Sequence, residues 1–177
     1  MNIEGNLTIV GDTLLISEII ILPTSRYYSI PSTAFEPIIG GATCHGHKEF
    51  YLEFAHEPGN NHSFAQAPIH LPHDCEITKV VDYVSWSGNI GGFSVGVIAV
   101  PFFGALGEIN IDTIGFIYTP GPPWPGAYDS LVISHFSNHK IDNARYRYLI
   151  QVKGWSDVGN FLVYGARIEY IINKPLP

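Results

Sequence analysis

Nowhere in this chain of 177 residues do apolar side chains recur at helical spacing for about a dozen residues between capping signals. They alternate instead. Tyr146, Tyr148, Ile150 and Val152 alternate with Arg147, Leu149, Gln151 and Lys153, and Tyr164, Ala166, Ile168 and Tyr170 are set against Gly165, Arg167 and Glu169. Successive side chains of a strand point to opposite faces, so both stretches are half-buried antiparallel strands. Almost every segment between Pro/Gly clusters reads the same way, with strands expected near 5–10, 12–22, 25–30, 48–55, 76–86, 92–100, 107–119, 129–136, 145–154 and 161–172. Many strands of this length joined by Pro and Gly turns predict an all-β fold, an antiparallel two-sheet jelly-roll sandwich.

Three stretches interrupt that regularity. Pro120-Gly121-Pro122-Pro123-Trp124-Pro125-Gly126 cannot be a central strand, because each proline lacks a ladder donor. It is expected to be a stiff exposed loop carrying Trp124, flanked by Tyr118 and Tyr128. A second loop is expected from His56 to His73, which is rich in Asn, His and Pro. The third is the N-terminal arm, residues 1–22, set apart from a sandwich domain at 23–177. An arm exposing Leu14, Leu15, Ile19, Ile20 and Ile21 would aggregate, so it is expected to add to a sheet edge, preferentially that of a neighbouring subunit.

Composition narrows the partners. Charged residues are only 14% of the chain, against about 25% in typical domains. The deficit predicts a covered surface and hence a homo-oligomer, with a trimer favoured. Nine Lys plus Arg are scattered without a basic run under a net charge of −7, which excludes a nucleic-acid-binding surface. The opening Met1-Asn2-Ile3-Glu4-Gly5 lacks the basic start of a signal peptide, and no apolar stretch is long enough to span a bilayer, so membrane insertion is not expected. Cys44 and Cys75 have no metal-motif spacing, and buried thiols are the expected reading.

Candidate chemistry concentrates between His45 and Phe54. Read as one strand, its odd positions hold His45, His47, Glu49, Tyr51 and Glu53, and its even positions Phe50, Leu52 and Phe54. Two imidazoles at i and i+2 with a carboxylate can grip a divalent ion. That parity puts Phe50, Leu52 and Phe54 in the core and turns the two histidines outward. No cofactor is therefore expected, with a divalent metal held by His45, His47, Glu49 or Glu53 as the alternative. Among nucleophiles, Ser130 and His135 are neighbours on one strand, a poor arrangement for a triad, and neither a nucleophile elbow nor a phosphate-binding glycine loop occurs. Tyr146, Tyr148, Tyr164 and Tyr170 are expected in the core. Trp86, Trp124, Trp155 and Tyr128 fall at strand ends or in loops, where rings can stack on sugars or on a partner, and Trp124, Tyr128 and Tyr118 form the candidate ligand platform.

Two resemblances follow from these residues. The stretch from Gly40 through His45, His47 and Glu53 to Gly59 resembles the first motif of cupins, metal-binding jelly rolls. The glutamates depart from the cupin spacing, as does the second motif at Gly121–Asn138, where Pro125-Gly126 are adjacent and His135 precedes Asn138 by three. Ala67-Pro68-Ile69-His70-Leu71-Pro72-His73-Asp74-Cys75-Glu76-Ile77-Thr78 is similar to a loop-to-strand entry in jelly-roll modules of phage tail fibres and bacterial surface proteins. The ending Phe161 to Tyr170 resembles their closing strand, and Gly5 to Asp12 the β-segments that precede tail-fibre heads. That resemblance implies a trimeric, non-enzymatic module with a structural or adhesive role in a virion or on a cell surface. Its alternatives are a cupin-like metal-dependent enzyme and a carbohydrate-binding module, the latter with a glycan or cell-surface receptor as partner.

Overall fold

The computed structural model describes residues 23–38, 50–56, 62–102, 111–120, 130–137 and 140–172, and the backbone of 3–4, 7–10, 13–16, 20–21, 43–47 and 128–129; at 56, 87–90 and 156–158 it likewise gives backbone. The strands are β1 (Ile3–Glu4), β2 (Leu7–Val10), β3 (Thr13–Ile16), β4 (Ile20–Ile21), β5 (Thr24–Pro31), β6 (Glu36–Pro37), β7 (Thr43–His47), β8 (Leu52–His56), β9 (His62–Ile69), β10 (Glu76–Pro101), β11 (Asp112–Pro120), β12 (Tyr128–Ile133) and β13 (Tyr146–Ile172). A short 3-10 turn at Ser32–Ala34 is the one helical element among the described residues, which hold no helix long and apolar enough to cross a membrane.

β10 and β13 organise everything else. They pair antiparallel from Glu76↔Ile171 to Pro101↔Tyr146, and register shifts fall between Asn89 and Ile90 and between Ile90 and Gly92. Such bulges bend a strand and sharpen its twist, so each long strand passes from one layer of the sandwich to the other. In sheet A the order is β11, the second half of β10, the first half of β13, β9 and β6. In sheet B, β12 flanks the first half of β10, and the second half of β13 pairs with β5 and β8, which carries β7. The result is an antiparallel two-sheet jelly-roll sandwich.

The core lies between the layers. Sheet A contributes Phe93, Val95, Val97, Ala99, Tyr148, Ile150 and Val152; sheet B contributes Ile77, Val80, Val84, Trp86, Phe161, Val163, Ala166 and Ile168. Burying side chains of this size is worth about 1.5–3 kcal/mol each. Cys75 is a free buried thiol, and burial pushes its pKa up to about 12, so it behaves as a small apolar side chain.

The structure corrects several strand expectations. β10 and β13 each fuse two expected strands. His56–His73 is not one loop, because β9 runs through its middle with Ser63, Ala65, Ala67 and Ile69 turned inward. His45 to Phe54 is not one strand: β7 and β8 form an antiparallel pair with Cys44 opposite Phe54 and His47 opposite Leu52. Leu52 and Phe54 are core residues as the parity argument required, but Phe50 lies between the strands and is 70% exposed. In the N-terminal arm the expected strand at 12–22 is divided, with β2 pairing β3 and β1 pairing β4; no pairing of the arm with the main network occurs among the described residues.

Tyr164 departs from its expected core position for a local reason. Tyr83 faces Gly165 and Val84 faces Val163, so Tyr164 is the extra residue of a bulge. Gly165 takes φ +135°, and a Cβ there would approach Ile30 O to 2.5 Å. Val163 and Ala166 both remain in the core while Tyr164 packs edge-on against Tyr51 outside it. Gly165→Ala is expected to destabilise the protein by roughly 2 kcal/mol, seen as a lower urea midpoint.

Candidate functional site

The outer face of sheet A is built from alternate residues of its strands. The inward set of β10 is Phe93, Val95, Val97 and Ala99, which leaves Gly92, Ser94, Gly96 and Ile98 on the other side. Register then fixes their neighbours. Gly92 lies between Pro120 and Trp155, with His62 beyond; Ser94 lies between Tyr118 and Lys153, with Phe64 beyond; Gly96 lies between Phe116 and Gln151, with Gln66 and Glu36 beyond. Glycine and serine thus occupy the floor, and larger side chains from β11, β13 and β9 stand around it.

The floor needs to be small. A Cβ on Gly92 would lie 2.7 Å from Trp155 Cζ2 and 2.9 Å from Tyr118 Cε2, and one on Gly91 would lie 2.7 Å from Trp155 Cδ1. The indole therefore lies against the glycine backbone. Tyr118 and Trp155 are stacked, with ring centroids 5.1 Å apart and planes 4° from parallel. Tyr118 is 50% and Phe116 58% exposed. Beside them Ser94, Gly96, Ile98, Thr113, Phe116, Gln151 and Lys153 enclose a depression of about 90 Å³. Lys153 Nζ sits 4.8 Å above the Phe64 ring. Parallel rings beside amide, hydroxyl and ammonium groups offer an apolar stacking surface rimmed by hydrogen-bonding groups.

Sheet B offers less. Several of its outward rings are engaged: Arg167 lies 5.2 Å over Tyr27, and Tyr51 packs against Tyr164, whose hydroxyl is 3.5 Å from Ser85 Oγ; Tyr83 is exposed. At the end of the sandwich a cavity of about 450 Å³ is lined by His73, Asp74, Lys140, Asp142 and Arg145, where Lys140 pairs with Asp74 at 3.2 Å.

Of the residues expected from sequence to bind a ligand, Tyr118 belongs to the sheet A face. Trp124 lies outside the described residues. Tyr128 is described in backbone only, and it opens β12 opposite Ser85, on the sheet away from Tyr118. Trp86 is a core residue, 2% exposed and 4.6 Å from the Phe93 ring, which removes it from the ligand candidates. Trp155 is the partner Tyr118 finds. The sequence alone does not single out Phe64, Gln66, Ser94, Phe116, Gln151 or Lys153; for the last two the signal is the outward alternation of Gln151, Lys153 and Trp155 along the first half of β13.

For the metal candidates, β7 carries His45 and His47, whose side chains, with Glu49, lie outside the described residues. Glu53 is half-buried on β8 and accepts a hydrogen bond from Asn160 Nδ2 at 2.9 Å. Among the described residues no group of three or more His, Cys, Asp or Glu is placed to hold a metal ion.

No family model and no curated protein matches the sequence. Solved structures do share the fold. One is the Clostridium thermocellum N-terminal endo-1,4-beta-D-xylanase 10B, its CBM22-1–GH10 modules complexed with xylohexaose, at TM-score 0.50 and 12% identity; the match covers 86% of this chain and 29% of that one. Another is the xylan-binding module CBM15, at TM-score 0.50 and 9% identity, covering 86% of this chain and 100% of that one. The chain thus spans less than a third of the xylanase, and at these identities the likeness is one of fold.

Proposed function

We propose that this protein is a non-catalytic carbohydrate-binding module that holds a glycan chain against the outer face of sheet A. The observation that carries this reading is the parallel Tyr118–Trp155 pair resting on the glycine floor of Gly91 and Gly92. The apolar face of a sugar ring stacks on aromatic rings, and its hydroxyls take hydrogen bonds from groups at the rim, here Gln151 and Gln66. The fold is shared with a xylan-binding module and with a protein complexed with xylohexaose, which makes soluble polysaccharide fragments, xylohexaose among them, the first ligands to test.

The test is titration of the folded protein with a panel of soluble oligosaccharides by calorimetry. Trp155→Ala is expected to weaken the binding found by roughly ten- to thirtyfold, about 1–2 kcal/mol. Tyr83→Ala, an exposed ring on sheet B, is expected to stay within about twofold. Binding that survives Trp155→Ala unchanged contradicts the reading.

The homo-oligomer, with a trimer favoured, is a separate proposal resting on the 14% charge and on exposed Phe102 and Ile111. A structural or adhesive role in a virion or on a cell surface rests on that assembly, and the sheet A face supports glycan binding ahead of it.

A further inference from the structure

We infer that the glycan held on sheet A is anionic, carrying carboxylate or sulfate groups on its sugars, and that Lys153 reads that charge; this rests on sheet A being the glycan-binding face. The chain holds 16 acidic and nine basic residues, yet the residues facing outward around the glycine floor run against that balance. Across the rows through Gly92, Ser94 and Gly96 the one carboxylate is Glu36, at the far edge beyond Gln66. Lys153 stands at the centre, between Ser94 and Phe64 and one cross-strand row from both Trp155 and Gln151.

The ammonium is held in place without being neutralised. Its neighbour is the Phe64 ring at 4.8 Å, and no carboxylate pairs with it among the described residues. A cation–π contact fixes the position of a lysine while leaving its charge for another partner. Arg147 stands on the same face of β13, about 20 Å back along the strand, where it lines a cavity of about 560 Å³ with His70, Phe102 and Leu149. It too has no ion-pair partner among the described residues.

The overall charge of −7 sharpens the expectation. A protein of that charge repels densely charged polyanions, and its scattered cations suit no nucleic acid. A sugar chain with spaced charges needs only a local cation beside a stacking platform.

The test compares hexagalacturonate, a κ-carrageenan hexasaccharide with one sulfate per disaccharide, and xylohexaose against the full-length protein by calorimetry, at low salt and at about 0.5 M salt. Either anionic oligosaccharide is expected to bind at least tenfold more tightly than xylohexaose at low salt, with the advantage shrinking at high salt. Preference for hexagalacturonate identifies carboxylate as the group read, and preference for the κ-carrageenan fragment identifies sulfate. Lys153→Gln is expected to bring the anionic-to-neutral affinity ratio close to one, and Lys153→Arg to keep it. Xylohexaose binding as tightly as both anionic ligands overturns the inference while leaving glycan binding intact, as does a ratio that Lys153→Gln does not change. Folded protein that binds none of the three overturns both.

Discussion

Phe161→Ala is expected to cost about 3–5 kcal/mol. Phe161 is fully buried where the two long strands cross between layers. In sheet B it stands between Trp86 and Phe54, and it reaches across to sheet A, 5.0 Å from the Phe93 ring. Gly154 makes room for it: a Cβ there would lie 3.1 Å from Phe161 Cδ1. Truncation would open a cavity between sheets that bulges and close pairing hold in place, so the walls cannot collapse onto it. For a domain of this size the loss corresponds to a fall in Tm of roughly 6–20 °C. A fall below about 3 °C by calorimetry would mean that the sheets can close over the gap.

The second large effect has the opposite sign. Asp82 points into the core opposite Leu131 and Ala166, is 0% exposed, and neither carboxyl oxygen has a hydrogen-bond partner among the described residues. Burial pushes its carboxyl well above the usual carboxylate range. The folded state therefore favours the protonated acid, while the unfolded chain ionises near pH 3.9. Stability from this group is present in full below the unfolded value and is lost as pH rises towards the folded one. Asp82→Val should raise stability by about 1–3 kcal/mol at pH 7.5. Asp82→Asn should remove the pH-dependent part, so that its advantage over the native chain is larger at pH 7.5 than at pH 4.5. Urea midpoints at the two pH values decide it. Variants no more stable than the native chain at pH 7.5 would mean that Asp82 is paired.

How much of this was legible in the sequence depends on what each strand buries. The two halves of β13 declared themselves because Tyr148, Ile150 and Val152, and later Ala166 and Ile168, are bulky or strictly alternating. β9 stayed hidden because its inward face is Ser63, Ala65 and Ala67, too weakly apolar for periodicity to register, and Pro68 reads as a breaker. Pro68 is tolerated because it is exposed near the strand end, opposite Leu149. The β7–β8 turn produced a false alternation: across it, odd and even no longer mean two faces of one strand.

The binding face was less legible than the fold. Tyr118 and Trp155 are far apart in sequence and meet only because β11 and β13 flank the same stretch of β10. Trp86 and Trp155 lie on opposite sides of the same corner, and nothing local marks the first as core and the second as surface. Gly91 and Gly92 read as turn glycines in a linear scan. In the sheet they are the space that the rings fill.

The most direct measurement of the central claim is an amide chemical-shift map of isotopically labelled protein titrated with its tightest-binding soluble oligosaccharide. The account predicts that the shifts concentrate at residues 62–66, 91–98, 116–120 and 151–155, the outer face of sheet A. Shifts concentrated on β5, β8 and β12 of sheet B, with the Tyr118 and Trp155 amides unmoved, would contradict it.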